Sequence, residues 1–531
     1  MKIPESKTIP QLLQEQATRH ASREALVDGR RRYTYAQLQT EVHRVARGLL
    51  ALGIRRGDHV AILMGNRAEW MLSFLAVQQI GAVSVGLNTW SSAREMEYTL
   101  SHAEVRCLIA TDRLRRQDFR AMLNELPREQ LPKLQFTVWL GTDPAAPLPI
   151  DAAAGECEWD EMLRRGDGVA QAQVDAAAQA TAPDDVAMLL YTSGSTAAPK
   201  GILLQHEKWI RNAFHIGERQ HVTHEDRLWL AVSLFWSFGI VNAVPNLLTH
   251  GGCVVLQESF DAGEAMALIE RERCSILYGT PNIVQALWEH PTRDRHDLSS
   301  LRSGAMIGTP AQVMRAVELG ARDICNVYGL SETYGNCTVT DAHDPLEVRL
   351  NTVGKPLPGV TLRICHMESG EPLPEGEVGE IRVQGPLVKE YFKDPLKTAE
   401  SFDENGFYRT GDMGLLDASG RLSYKGRLKE MVKSGGINIA PAEVEEVLMR
   451  HPAVRVAYVI GVPHPTLDEA LVAIIVPQAG EAPSDEALKA FCSREMAAYK
   501  VPHRFHLTTE SQLPLTTTGK VQKMNLHTLL S

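Results

Sequence analysis

The segment Tyr191 to Gly201, YTSGSTAAPKG, constrains the chain most: a loop of glycine and hydroxyl residues ends in proline and lysine and follows the uncharged run Val186 to Leu190. The run reads as a strand. Glycine lets backbone N–H groups approach an anion, and hydroxyls with an ammonium add donors, so the loop reads as a phosphate cradle. The GxxxxGK[ST] arrangement of P-loop phosphotransferases is not present in it.

The first hundred residues alternate in period. Leu38, Val42, Val45, Ala46 and Leu49 form one helical stripe, Val60 to Met64 a short apolar strand, Glu69 to Gln79 a second helix and Ala82 to Val85 another strand. This alternation predicts an α/β architecture, a parallel sheet covered by helices. At 531 residues the chain exceeds what one hydrophobic core sustains, so two or more domains are expected. A boundary falls near Arg427 to Lys429. Beyond it Pro441 opens a helix through Arg450, strands follow at Ala457 to Ile460 and Leu471 to Val476, and a helix lies near Asp485 to Cys492. That is a small α+β unit.

Two stretches resist a single reading. Val169 to Asp185 is a polar excursion that suits either a surface loop or a frayed helix. Leu228 to Gln257 carries no charge and is long enough to span a bilayer, but Ser233, Ser237, Asn242, Pro245, Asn246 and the Gly251–Gly252 pair interrupt it. It reads as a buried helix running into a buried strand, Cys253 to Leu256, so no membrane span is expected. The N-terminus lacks the apolar run of a secretory signal. A net charge of −10 with scattered basic residues gives no footprint for nucleic acid. Eight cysteines without a CxxC pair speak against a zinc site or a disulfide framework, and a reducing cytoplasm is the expected compartment.

Four further segments follow the loop in order: YGLSET (Tyr328 to Thr333), YRTGD (Tyr408 to Asp412), GRLKEMVKSGGINIAPAEVE (Gly426 to Glu445) and PLTTTGKVQK (Pro514 to Lys523). With the loop, and over nearly the whole chain, they resemble the adenylate-forming superfamily of acyl-CoA synthetases, carrier-domain adenylation domains and luciferases. The resemblance implies a large N-terminal domain of layered α/β subdomains, 1–428, holding the ATP and acid sites. It implies a small mobile α+β C-terminal domain, 429–531, carrying a catalytic lysine and thiol access.

The same resemblance assigns roles. Thr192, Ser193, Gly194, Ser195, Thr196 and Lys200 would wrap the β- and γ-phosphates of ATP, although Ala197 stands where the family usually has glycine. Glu332 would ligate Mg²⁺ and Ser331 would contact the α-phosphate. Tyr328 would stack on adenine opposite Gly304 and Ala305, Asp412 would accept from the ribose hydroxyls, and Arg427 would help hold ribose or phosphate. Lys520 would reach the α-phosphate and the carboxylate during adenylation. Lys429 matches the hinge, about which Lys433, Ser434, Gly435 and Gly436 would replace Lys520 and admit coenzyme A.

Amino-acid-activating relatives carry an aspartate for the substrate ammonium in the segment equivalent to Phe235–Trp236–Ser237. Aromatic residues stand here, and an uncompensated cation in an apolar pocket is costly, so an α-amino acid is disfavoured. Trp236, Phe238, Gly239, Tyr334 and Asn336 are the candidates for the acyl pocket. The expected activity is an acid–thiol ligase that forms acyl-AMP and pyrophosphate, then a thioester. Two alternatives stay open: delivery to a carrier protein acting in trans, and a partial-reaction or binding-only homologue on account of Ala197.

Overall fold

The computed structural model describes the chain except for residues 144–147, 193–198, 435–436, 465–466, 497–499, 516–519 and 531. Two compact units emerge. The first comprises 1–360 and 384–402, the second 361–383 and 403–531. The sequence places a domain division at 428/429, whereas packing groups 361–383 and 403–428 with the second unit.

Two sheets organise the first unit. In one, Ser303–Met306, Ile276–Gly279, Arg227–Leu230, Cys253–Leu256 and Glu24–Asp28 run parallel, with Cys325–Tyr328 parallel beside Ser303–Met306. Its borders reverse: Thr338–Val339 and Arg31–Thr34 return through short connections and pair antiparallel. In the other, Val83–Gly86, His59–Leu63, Cys107–Thr111, Phe136–Leu140 and Glu156–Glu158 are parallel. The expected parallel sheet is thus present twice, with antiparallel strands added at edges where a hairpin is the shortest return.

Sequence pattern explains the covering helices. Tyr35–Ala51 buries Leu38, Val42, Val45, Ala46 and Leu49 as one stripe, and its entry is closed by a capping box in which Thr34 and Gln37 bond reciprocally. Ala68–Gln79 is buried on every side, as expected for a helix apolar all round. The polar excursion contains the helix Gln171–Ala180, which buries Val174 alone. The uncharged stretch departs most from expectation. It starts in the strand Arg227–Leu230, passes through a π-helical segment Ser237–Ala243 into the helix Val244–His250, and only then reaches Cys253–Leu256. Apolar runs alone do not separate a buried strand from a buried helix, which is why one helix was expected there.

The second unit has two sheets of its own. Thr361–Cys365, Gly379–Gln384, Tyr408–Leu416 and Leu422–Arg427 form the first. The second joins Val432–Ser434, Ile437–Ile439, Val454–His464, Asp468–Pro477 and Arg504–Leu507. The helices Pro441–Leu448 and Asp485–Glu495 cover it over a core that includes Val444, Leu448, Val459, Ile475, Leu488 and Phe505. Among the described residues no helix is long and apolar enough to cross a membrane.

Candidate active site

In the first unit, the strand Val186–Thr192 pairs antiparallel with Lys200–Gln205, bringing Thr192 opposite Lys200 and Tyr191 opposite Gly201. The loop between them is therefore held at both ends. Ser193, Gly194, Ser195, Thr196 and Ala197 lie outside the described residues. At the far end, Tyr98 donates its hydroxyl to the Pro199 carbonyl at 3.2 Å, and Phe392 N–H donates to Gly201 O at 2.8 Å.

Glu332 sits in the short 3-10 turn Ser331–Thr333, directly after the strand Cys325–Tyr328. Its side chain is buried, whereas Ser331 is half-buried. Tyr391 donates its hydroxyl to Glu332 Oε1 at 2.7 Å, and the Lys200 ammonium lies 5.4 Å from the centre of the Tyr391 ring. One tyrosine thus touches both the loop lysine and the acidic residue, in reach of a cation–π interaction on one side and a charge-assisted hydrogen bond on the other. A carboxylate has about four lone-pair positions, so accepting from Tyr391 leaves Glu332 chemically suited to a hard cation.

Asn212 shapes the turn that carries Glu332. Buried on the helix His206–Arg219, its amide donates toward the carbonyls of Thr333, Tyr334 and Asn336 at 3.3, 2.9 and 2.9 Å. Tyr334 ends the turn at φ 56°. It is fully buried, its hydroxyl accepts from Gln205 N–H at 3.1 Å, and burial pushes its pKa up to about 12. Asn336 is 2 % exposed, and its side-chain Nδ2 has no hydrogen-bond partner among the described residues.

The aromatic candidates lie where the π-helical segment begins. Trp236 is half-buried and meets Trp90 edge-on at 5.1 Å, while Phe238 lies against Tyr278 at 5.0 Å. Gly239 is buried; a Cβ there would stand 2.5 Å from Ser233 O. From the same segment, Asn242 faces Gly335, where a Cβ would come within 3.1 Å of its amide nitrogen. The π-helical segment that follows Trp236 and the Tyr334–Asn336 segment therefore meet at Asn242 and Gly335. Phe235, in the segment where an aspartate would mark an amino-acid substrate, is 4 % exposed and packs edge-on to Trp90.

Gly304, on the strand Ser303–Met306, has φ 133°, and a Cβ there would strike Leu277 O at 2.0 Å. Ala305 is buried beside it. Tyr328 ends the neighbouring strand and is 6 % exposed.

The second unit holds the remaining candidates. Asp412 and Arg427 face each other across paired strands, with Arg427 Nε 3.3 Å from Asp412 Oδ1. Asp412 is buried and Arg427 largely exposed. Lys520 is exposed and follows the undescribed 516–519; partial desolvation and the nearby Arg427 cation hold its pKa below the usual lysine value. Lys429 lies in the 3-10 turn Leu428–Glu430 and Lys433 in the strand Val432–Ser434, their side chains outside what is described. Ser434 is buried, and Gly435 and Gly436 lie outside the described residues.

The family of AMP-binding enzymes matches residues 13–392, and the AMP-binding enzyme C-terminal domain matches 443–520. The chain belongs to the AMP-binding enzyme family. Acyl-CoA ligase SID4 of Ajellomyces capsulatus is 34% identical, with 98% of this chain and 91% of that protein aligned. The anthranilate CoA ligase AuaEII, solved in complex with anthranoyl-AMP, superposes with a TM-score of 0.87 at 28% identity over 99% of this chain and 98% of that one. The amide bond synthetase McbA of Marinactinospora thermotolerans gives 0.81 at 28% identity, with 98% of each chain covered.

Tyr391 and Asn212 were not anticipated from the sequence, and Tyr391 provides a direct test. Tyr391→Phe keeps the ring beside Lys200 and removes only the hydroxyl on Glu332. Hydrogen bonds to charged groups contribute about 1.5–3 kcal/mol, and partners behind a metal ligand typically cost 10–100-fold when lost. The expected result is a roughly 10–100-fold loss of adenylation at low Mg²⁺ that excess Mg²⁺ partly restores, with little change in melting temperature. A variant with the wild-type Mg²⁺ dependence would contradict the assignment of Glu332.

Proposed function

We propose that the chain activates a carboxylic acid other than an α-amino acid, by attack of the carboxylate on the α-phosphate of ATP, and then passes the acyl group to the thiol of coenzyme A. Family membership and the acyl-CoA ligases among its relatives support ATP-dependent acid–thiol ligation. The observation that carries the reading is Tyr391 joining Lys200 to Glu332. A cation donor and a carboxylate for a hard metal, held by one side chain, suit a triphosphate with its Mg²⁺.

Bound Mg²⁺ would neutralise charge on the phosphates. Lys200 and the loop hydroxyls would orient the pyrophosphate as leaving group, and Tyr391 would hold the Glu332 carboxylate in place. Ser331 would hydrogen-bond the α-phosphate. Tyr328, with Gly304 and Ala305, would take adenine. Asp412 would accept from the ribose hydroxyls, and Arg427 would help hold the ribose or phosphate. Lys520, whose pKa desolvation and the nearby Arg427 cation hold below the usual lysine value, would supply charge to the carboxylate and α-phosphate. Lys429 would be the pivot between half-reactions, and Lys433, Ser434, Gly435 and Gly436 would meet coenzyme A.

Trp236, Phe238, Gly239, Tyr334 and Asn336 would enclose the acyl group. The Asn336 amide, without a hydrogen-bond partner among the described residues, favours an acid with a hydrogen-bond acceptor near its carboxylate, because a buried donor gains most from a partner. Eight free buried cysteines accord with a reducing cytoplasm.

Pyrophosphate release against a panel of carboxylic acids, with and without coenzyme A, tests the reading. Acyl-CoA should appear only with ATP, Mg²⁺ and coenzyme A together, and aryl or aliphatic acids should outrun amino acids. Acyl-AMP that accumulates with coenzyme A present, and disappears only on adding a carrier protein or an amine, would overturn the choice of acceptor.

A further inference from the structure

The proposed catalytic lysine sits at the end of a small hairpin. Leu515 and Val521 form an antiparallel bridge, Gln522 N–H donates to Pro514 O at 2.8 Å, and Gln522 Nε2 donates to Leu515 O at 3.3 Å. These contacts lie close by in the chain. Leu513 and Val521 pack against Val472, Ile474 and Leu526, and the polar tie from the hairpin to the rest of the unit is made by Lys523, the residue after Gln522.

Its ammonium stands 2.8 Å from Glu445 Oε1 and 3.5 Å from Glu430 Oε2. Glu445 projects from the helix Pro441–Leu448, is 8 % exposed, and also accepts from Val459 N–H at 2.7 Å. Glu430 closes the turn Leu428–Glu430, in which Lys429 is the middle residue and which Arg427 immediately precedes. A single cation therefore gathers the lysine hairpin, the covering helix and the turn. The two carboxylates are unlike: one is buried and bound to backbone, the other half-exposed, with its side chain at 32%. Burial pushes the Glu445 carboxyl up, whereas both carboxylates raise Lys523 against its own desolvation. A buried carboxylate that loses its cation is strongly destabilised, so Glu445 has a structural need for Lys523. Glu430 has none of comparable strength; its contact adds the turn to the cluster.

We infer that Lys523 is a positioning residue for adenylation: bound to Glu445 and Glu430, it sets the hairpin so that Lys520 is held in a fixed place relative to the turn containing Lys429. This rests on the role proposed for Lys520. A purely structural ion pair would influence both half-reactions together, through folding, whereas a positioning role falls on the step that uses Lys520.

The experiment uses the full chain and both half-reactions, acyl-AMP formation from ATP and thioester formation from supplied acyl-AMP. Lys523→Met alone strands a buried charge and threatens folding, so it is paired with Glu445→Gln, which removes both charges at once. Misplacing a catalytic group by about 1 Å costs up to about 100-fold. The double variant should lose about tenfold or more in adenylation while thioester formation stays within about twofold of wild type, and Lys523→Arg should retain most of the adenylation rate. Glu430→Gln should show the same selective loss, smaller, at an unchanged melting temperature. Adenylation within about twofold of wild type in both the double variant and Glu430→Gln, or parallel losses in both half-reactions that follow the melting temperature, would overturn the inference. Lys520→Ala in the same assays separates the two ideas. If it adenylates normally, the reading of Lys520 fails and the positioning role falls with it; if it is impaired while the other variants are not, only the positioning role is lost.

Discussion

Lys520→Ala should abolish most acyl-AMP formation and spare thioester formation from supplied acyl-AMP. Preorganised donors that meet charge developing in a transition state typically contribute about 2.7–4 kcal/mol, so a loss of two to three decades in the first half-reaction is expected. The lysine is suited to this by its surroundings: desolvation and Arg427 lower its pKa, so the ammonium gains more from a developing anion than a fully hydrated one would. Its side chain is exposed, and removal should leave the melting temperature nearly unchanged. Rapid-quench measurement of acyl-AMP, beside a coupled assay for acyl-CoA, distinguishes the half-reactions. Equal damage to both would remove Lys520 from the adenylation step.

Gly329→Ala should be strongly disruptive, because the added methyl meets main chain on the return segment. The glycine lies between Tyr328 and the Glu332 turn, and an added Cβ would stand 2.0 Å from Gly335 O and 2.4 Å from Asn336 Cα. Both are backbone atoms, so no side-chain rotation relieves the clash. Overpacking typically costs about 1–3 kcal/mol, and a clash against main chain belongs at or above the top of that range. The return segment would have to move, carrying Asn336 and the carbonyls that Asn212 holds. The expected outcome is a lower melting temperature and loss of both half-reactions. Gly376→Ala is the control: at φ 83° with nothing within 4 Å, it bears only backbone strain, about 1–2 kcal/mol. Equal stability and activity in the two variants would show that the close approach at Gly329 is not required.

The local setting of many candidate residues was legible because they lie in contiguous motifs. Thr192 and Lys200 bracket the loop as expected, Glu332 falls in a turn after a strand, and Asp412 and Arg427 prove to be register partners. The helical stripe from Leu38 to Leu49 was equally readable, since one buried face imposes a period. Less accessible were contacts between distant segments. Tyr391 reaches Glu332 across 59 residues and Asn212 reaches the same turn across more than a hundred; neither a tyrosine beside charged residues nor an amide on a helix announces such a partner. The stretch after Leu228 was anticipated in its buried helix and its strand Cys253–Leu256 but not, for another reason, in the strand and the π-helical segment before them. Its lack of charge reports burial, and burial is shared by the strand, the π-helical segment and the α-helix found there.

The burial of all eight cysteines has a practical consequence. Each thiol is shielded within folded protein, and for Cys253, Cys325 and Cys492 burial pushes the pKa to about 12, 12 and 11, far from the thiolate form that alkylating reagents require. The natural chain should therefore be almost silent to maleimides while folded. A cysteine introduced at Leu396, which is 78% exposed, or at Met524, which is 76% exposed, would then be the one reactive thiol in the molecule. Fluorophores or spin labels at such sites could follow rearrangement during turnover without first stripping the native cysteines from the core.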